Sequence, residues 1–478
     1  MSYDFLLPSS YNPLEFIKSP RLAMRADEAR WFINTIVRKM VYRDVDIHGF
    51  ARLHWNVLCR VMERDTLSEI IEAHVEGGAI ETSPYRVGDR STGYRLSDRF
   101  LSDRHVRVRA IDPRLLGRLE CEHSRLAEEQ VNRRKPIHES LNAAQQGLSI
   151  TPIADQILES LPPRTRLCQE VLVSNIRRRT FPFSVSSPAR LSRNQKLPSL
   201  TIFARENKKS GISGTGRCFN ALTGLKRELR TAILLDGEPL GSIDLSCAQP
   251  ALLAFYIWLQ IPSSGPKWRE TYKQQLFRSC PWLPRLSCCE VAGPAAFEDF
   301  LLFRDLVCRG AFYDELARLS GLDRPTVKRR FLVDVLAKDG WYPSEVEQVF
   351  RTAFPSVFHV VREVNRANHA NLIRLLQRLE AWLVIETVAP RLVESVPIVT
   401  LHDCIFARIR DLPLVEAAFR ETFEEMGFSL TLKREIWLAD EAIADPNRVG
   451  EEGPRNDAVR ATTLDGGPLC GMPCGLAA

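Results

Sequence analysis

Leu240-Gly-Ser-Ile-Asp-Leu-Ser-Cys-Ala-Gln-Pro250, followed by the apolar run Ala251 to Leu259, reads as a strand that runs into a buried helix. The strand carries Asp244 to its end, and Pro250, a favoured first-turn residue, opens the helix. A carboxylate at a strand end beside a backbone turn can hold a divalent cation. The same residue can also serve as an ordinary turn or helix-capping aspartate.

A second stretch answers the first. Pro397-Ile-Val-Thr-Leu-His-Asp-Cys-Ile-Phe-Ala-Arg-Ile409 has two apolar strands flanking His402-Asp403, which places that pair at a tight hairpin turn. Two aspartates on separate strands can share a pair of Mg²⁺ ions about 4 Å apart, the arrangement that stabilises both attacking and leaving oxygens in phosphoryl transfer. Between them lies Asp323-Arg-Pro-Thr-Val-Lys-Arg-Arg-Phe331. Asp323 caps a helix with Pro325 in its first turn, so Arg324 and Lys328, four apart, share one face. Two cations at that spacing could clamp a triphosphate, although an exposed basic helix face has the same pattern.

Around these stretches the composition is that of a globular protein, with 45% hydrophobic and 26% charged residues in 478, enough for two to four domains. The N-terminal MSYDFLLPSS has no cationic stretch followed by an apolar run, and no uninterrupted apolar run reaches about 18 residues, so a soluble, cytoplasmic protein with no membrane partner is expected. Twelve cysteines without a regular framework suggest free thiols. Cys280, Cys288 and Cys289 lack a fourth ligand at zinc spacing, and Cys470 and Cys474 stand alone in a Gly-rich tail. The formal charge of +6 is unevenly spread: from Arg164 to Arg230 fifteen Lys or Arg face only Glu170, Glu206 and Glu228. That bias suits phosphate backbones as well as a solvated face.

Four divisions follow. Residues 1–112 hold a helix from Leu53 to Glu63, a second opened by the capping box Thr66-Leu-Ser-Glu69 and stopped at Gly77-Gly78, a strand at Ala79 to Thr82, a turn-rich loop, and a strand beginning at Tyr94. Together they resemble a winged helix-turn-helix with its wing at Arg86 to Arg90, a module that docks on DNA or on protein. Residues 113–161 read as a helical connector containing Arg133-Arg-Lys135, residues 162–445 as the main body, and residues 446–478 as a disordered tail.

In order and content, the three charged motifs resemble the polymerase domain shared by the DNA polymerase I family (family A) and the single-subunit phage-type RNA polymerases. Asp244 matches the first metal-ligating aspartate of motif A, Arg324 and Lys328 match the Arg-x-x-x-Lys of motif B, and His402-Asp403 matches motif C. Gly216-Arg217 is similar to the segment ahead of motif A, and Arg230 to an arginine just before its strand. Phe350-Arg-Thr-Ala-Phe-Pro355 resembles the segment after motif B. Gln377, on a long helix from about Asn365 to Val388, is similar to a glutamine near the primer terminus. The resemblance covers roughly 214–410.

The resemblance implies an α+β right hand: an antiparallel palm sheet, helical fingers over about 267–361, and a thumb drawn from residues before Arg217. It implies that Asp244, Asp403 and the Leu245 carbonyl hold two Mg²⁺, and that Arg324 and Lys328 bind the triphosphate, Lys328 donating a proton to pyrophosphate. His402 and Gln377 would hold the primer end, with Arg217 and Arg230 on nucleic acid. The implied activity is a DNA-directed DNA polymerase that extends a primer on a DNA template with nucleoside triphosphates. An RNA polymerase or primase is one alternative, and a catalytically inactive nucleic-acid-binding replication or regulatory protein is another.

Departures fall at the nucleotide site. Gln249 stands where family A DNA polymerases place a glutamate that blocks the ribose 2′-hydroxyl, Leu336-Ala337 where an aromatic-Gly pair is expected, and Cys404 where Glu or Ser follows His-Asp. Sugar choice is left open by these positions. No proofreading Asp-x-Glu pattern is expected in the N-terminal half, and the size suits a compact enzyme of a mobile element, plasmid or virus.

Overall fold

The computed structural model describes residues 3–438 apart from 43–44, 46–47, 85–91, 102, 132–133, 182, 186–214, 262–266, 281–293 and 339. The expected wing at Arg86 to Arg90, the tail 446–478, Cys288 and Cys289, and much of the basic stretch fall outside these residues. The chain is α+β, and all its described strand pairs are antiparallel. No helix among the described residues is long and apolar enough to cross a membrane.

The N-terminal unit is framed by β1 (Asp4–Pro8), which later pairs with β5 (His105–Arg109). Within that frame the helix Ala26–Val41 buries Phe32, Ile33, Ile36 and Val37. β2 (Ala51–Arg52), β3 (Ile80–Ser83) and β4 (Gly93–Leu96) form a small sheet in the order β2-β4-β3. The helix expected from Leu53 to Glu63 is only a four-residue turn, Trp55–Leu58, because Val61 and Met62 turn into the core instead of continuing the spiral. The second helix, Arg64–Glu76, starts before the expected capping box. Thr66 is buried inside its first turn, and the N-cap residue Glu63 makes no side-chain capping bond. Gly77 caps the end of that helix, and Gly78 takes φ +69°, which its missing side chain permits.

The segment 113–161 is helical over Pro113–Val131, Pro136–Ala144 and Ile153–Ser160, but it also supplies a strand, β6 (Leu148–Ile150). After the short strands β7 (Ser184–Val185) and β8 (Cys218–Phe219), β6 is joined by β9 (Ile233–Leu235). β9 turns into β10 (Glu238–Leu245) through Asp236-Gly237, both at positive φ, the preferred chemistry of a two-residue hairpin turn. β10 then pairs with β12 (Cys404–Arg408) on one side and β13 (Leu432–Ile436) on the other, and β11 (Val399–Leu401) completes the sheet beside β12.

Alternation along β10 divides its side chains between two cores. Ile243 and Leu245 enter the core shared with the helical part, while Leu240 joins the core of the N-terminal unit together with Phe406 and Trp437. Gly241 faces the helix Leu412–Met426 so closely that any Cβ would meet Leu412 Cδ1. The helix after β10 spans Ala248–Gln260, two residues earlier than Pro250 suggested, with Cys247 at φ 52° making the bend. From Ala251 to Leu259 every residue of it is buried, so it is a central helix rather than an amphipathic surface one.

Helices Pro294–Cys308, Phe312–Ser320, Arg324–Arg330, Glu345–Ala353 and Pro355–Asn365 pack around Phe303, Phe312, Phe331, Phe350 and Phe354, whose rings meet mostly edge to face. The long helix expected from Asn365 begins instead at Asn371 and runs on through a π-helical stretch, Trp382–Val388. Asn365 ends the preceding helix and clamps the joint, its Nδ2 donating to the Leu336 carbonyl while its Oδ1 accepts from Leu372 N–H.

Candidate functional site

Strand pairing alone brings the two aspartates together. Asp244 is paired with Cys404 in the β10–β12 register, so Asp403, in the turn just before Cys404, falls beside the end of β10. The Leu245 N–H donates to the Asp403 carbonyl at 3.3 Å, and the two carboxyl groups are close enough to act on each other electrostatically. Both carboxyl groups are pushed above the ordinary aspartate range. Burial is the first cause for each; Asp244 is raised further by the charges of Asp403 and Glu435. Asp244 Oδ1 is buried with no hydrogen-bond partner.

Lys328, on the helix Arg324–Arg330, draws both carboxyls down by its charge without an ion pair to either. That helix begins as expected, with Asp323 Oδ1 accepting from the Thr326 N–H at 2.9 Å. One turn before Lys328, Arg324 pairs with Asp314 at 3.0 Å and lies 5.9 Å from the Tyr313 ring centroid. It acts electrostatically on Cys247, the bend residue after Asp244, so Arg324 and Lys328 face the same turn. The helix passes directly into a π-helical stretch, Phe331–Leu336, a distortion often found next to functional sites.

His402 occupies the first loop position of the β11–β12 hairpin at φ 57°, a conformation non-glycine residues rarely adopt. Its ring is held neutral, its pKa pushed down to about 4 by burial and by Arg217 and Arg230, and Nδ1 is buried without a partner. Arg230 lies 5.7 Å from the ring centroids of both Phe406 and Trp437, on the face of the sheet that carries Cys404.

Sequence reasoning missed Glu380. It is almost wholly buried in the helix Asn371–Ala381, accepts from Arg217 at 2.8 Å and from Gln249 Nε2 at 3.0 Å, and lies close enough to feel the Asp403 charge. Burial first, opposed by Arg217 and reinforced by Asp403, pushes its carboxyl up to about 7. One signal for it was present: Glu380 falls four residues after Leu376 and three before Leu383, inside the apolar stripe, where an acid is unexpected. Gln377 is half-buried one turn earlier on the same helix. Leu336 has no exposed surface; its side chain fills the core, so it presents nothing on which a nucleotide could rest.

Among the described residues no group of three or more His, Cys, Asp or Glu converges as a metal-ligating set. The site is therefore a pair of carboxylates that feel the charge of Lys328, flanked by an Arg217–Glu380–Gln249 network centred on buried Glu380. No family model matches the chain, and no curated protein matches it.

Proposed function

We propose that this chain is a template-directed nucleotidyltransferase that adds nucleotides to a primer 3′-hydroxyl, with DNA as template and product. The observation that carries this reading is the approach of Asp244 and Asp403 across two antiparallel strands, both carboxyls raised by burial and both drawn down by the charge of Lys328. Crowded, buried carboxyls with an orphaned oxygen favour a proton or a bound cation at the site. Two carboxylates are the usual protein share of a Mg²⁺ site completed by substrate phosphates and water, so the residues present fit two Mg²⁺.

Asp244 and Asp403 would hold the ions, with the Leu245 carbonyl as a further oxygen donor. When bound, the ions supply Lewis-acid stabilisation to attacking and leaving oxygens. Lys328 would neutralise the departing pyrophosphate and give it a proton, and Arg324 would exchange Asp314 for a phosphate oxygen. Neutral His402 and Gln377 would hold the primer end, and Arg217, fixed by Glu380, would meet the nucleic acid backbone. In this reading the sheet from β11 to β13 is the palm and the helices from Lys267 to Asn365 are the fingers.

In the same reading the N-terminal unit is a winged-helix-like module, supported by the succession of a helix, β2, two helices, β3 and β4 and by the strand order β2-β4-β3. Its third helix turns Asp65, Glu72 and Glu76 to solvent, so that helix repels phosphate rather than entering a groove.

The test is a primed template incubated with dNTPs or with NTPs, with Asp403→Ala as control. Extension with dNTPs, lost in the variant, is the expected result. Extension with NTPs only would assign the chain to RNA synthesis. Retention of nucleic acid with no incorporation from either set would make it a binding protein.

A further inference from the structure

Three arginines from three separate elements meet on one surface of the N-terminal unit. Arg38 comes from the helix Ala26–Val41, Arg107 from β5, and Arg178 caps the helix Pro163–Arg177. All three are exposed. Partial burial and then the like charges of Arg178 and Arg38 lower the Arg107 pKa, opposed by Asp4 and Tyr42. Among the described residues none of the three is ion-paired. Arg38 Nε donates to Asn34 at 3.3 Å and Arg107 Nη2 to Asn175 at 2.9 Å. Folding gains nothing from three guanidiniums in mutual repulsion, whereas a polyanion compensates all three.

Aromatic rings are set between the charges. Tyr42 is exposed, and its hydroxyl accepts from the same Asn175 that receives Arg107. Tyr3 lies 5.2 Å from the His123 ring and carries the Arg38 guanidinium 5.9 Å from its own centroid. Tyr3 is half-buried under these contacts, so Tyr42 is the exposed ring; phosphate-binding cations beside an exposed ring suit a single strand, whose backbone meets arginine while an unstacked base meets an aromatic face. A duplex or a flat anionic surface has no use for the ring.

We propose that Arg38, Arg107, Arg178 and Tyr42 form a binding surface for single-stranded nucleic acid, separate from the carboxylate site and from the acidic third helix. It extends the polymerase reading by giving the unpaired strand a place on the N-terminal unit, but it is tested without catalysis.

The experiment is fluorescence anisotropy of a labelled 20-nucleotide oligothymidylate with the full chain, without nucleotides or Mg²⁺, across a salt series. The variants are R38A/R107A/R178A, Y42A and D403A, each checked for a cooperative thermal melt well above the assay temperature. The triple variant should bind at least ten-fold more weakly. Its slope of log affinity against log salt should fall by about two, since each phosphate neutralised on a single strand contributes about 0.7. Y42A should weaken binding about five-fold or more with the slope unchanged. Unchanged affinity and slope in the triple variant overturn the proposal. So does a larger loss for a 20-base-pair duplex or for phosphatidylserine vesicles than for the single strand. D403A should bind as the parent does. Loss of binding in the triple variant from a parent unable to extend primers would leave this surface standing and the polymerase reading fallen; extension with unchanged binding would do the reverse.

Discussion

Leu245 N–H donates to the Asp403 carbonyl oxygen at 3.3 Å, which locks the end of β10 to the loop of the β11–β12 hairpin. The bond fixes the two main-chain positions from which the carboxyl groups extend. The electrostatic repulsion between them is therefore carried by the fold, and it can be relieved only by a proton or a cation.

That has a measurable consequence for stability. Both carboxyls have folded pKa values above the ordinary aspartate value of about 4. A raised folded pKa contributes stability that is fully present below the unfolded pKa and is lost as pH rises through the folded one. The metal-free protein should thus melt at progressively lower temperature from about pH 4 toward mildly alkaline pH. Mg²⁺ should restore the difference at pH 8. In Asp244→Asn/Asp403→Asn both the pH slope from this pair and the Mg²⁺ response should vanish, and differential scanning fluorimetry reads both. A Mg²⁺ response that survives the double variant would place the ion elsewhere.

Lys328 draws both carboxyls down, so its removal should act on metal binding as well as on turnover. Lys328→Ala should raise the Mg²⁺ concentration needed for half-maximal extension and lower kcat by about 10²- to 10⁴-fold, the usual range for a lost general acid. Lys328→Arg should recover the Mg²⁺ requirement, because the charge is restored, but not kcat, because a guanidinium does not give up its proton at neutral pH. Full recovery of kcat in the arginine variant would reduce the residue to a charge.

Local chemistry explains what was legible in the sequence. Asp244, His402-Asp403 and the Asp323-capped helix were readable because each is set by nearest neighbours: an alternating strand, a two-residue hairpin, an N-cap. The strand β6 was not, since Leu148-Ser-Ile150 is only three residues long and becomes a strand by pairing with β9, more than eighty residues away. The expected helix from Leu53 to Glu63 failed for a related reason: burying Val61 and Met62 outweighed continued helical hydrogen bonding. Glu380 was hidden because its partners Arg217 and Gln249 come from distant segments, and the only local trace was an acid in an apolar stripe.

Glu380 titrates near neutrality, at about 7, and its ionised form holds Arg217 and Gln249. Activity should therefore rise as pH passes through about 7, and Glu380→Gln should flatten that step while keeping the shape of the site. Glu380→Ala should be much worse, since it leaves the nearly buried Arg217 guanidinium without its partner, a loss of about 3–5 kcal/mol in folding stability by chemical denaturation. An unaltered pH profile in Glu380→Gln would sever Glu380 from the reaction.

His402 tests whether backbone strain at the hairpin is retained for chemistry. At φ 57° a side chain with a Cβ is disfavoured by about 1–2 kcal/mol, while glycine is not. Alanine and glycine both delete the imidazole, so they differ mainly in that strain. His402→Gly should be more stable than His402→Ala by about 1 kcal/mol, after the extra flexibility glycine gives the unfolded chain offsets part of the relief. Both should lose primer extension to a similar degree if the neutral imidazole holds the primer end. If the glycine variant extends primers as well as the parent, His402 serves only to shape the turn, and Asp403 is presented by the backbone bond to Leu245 alone.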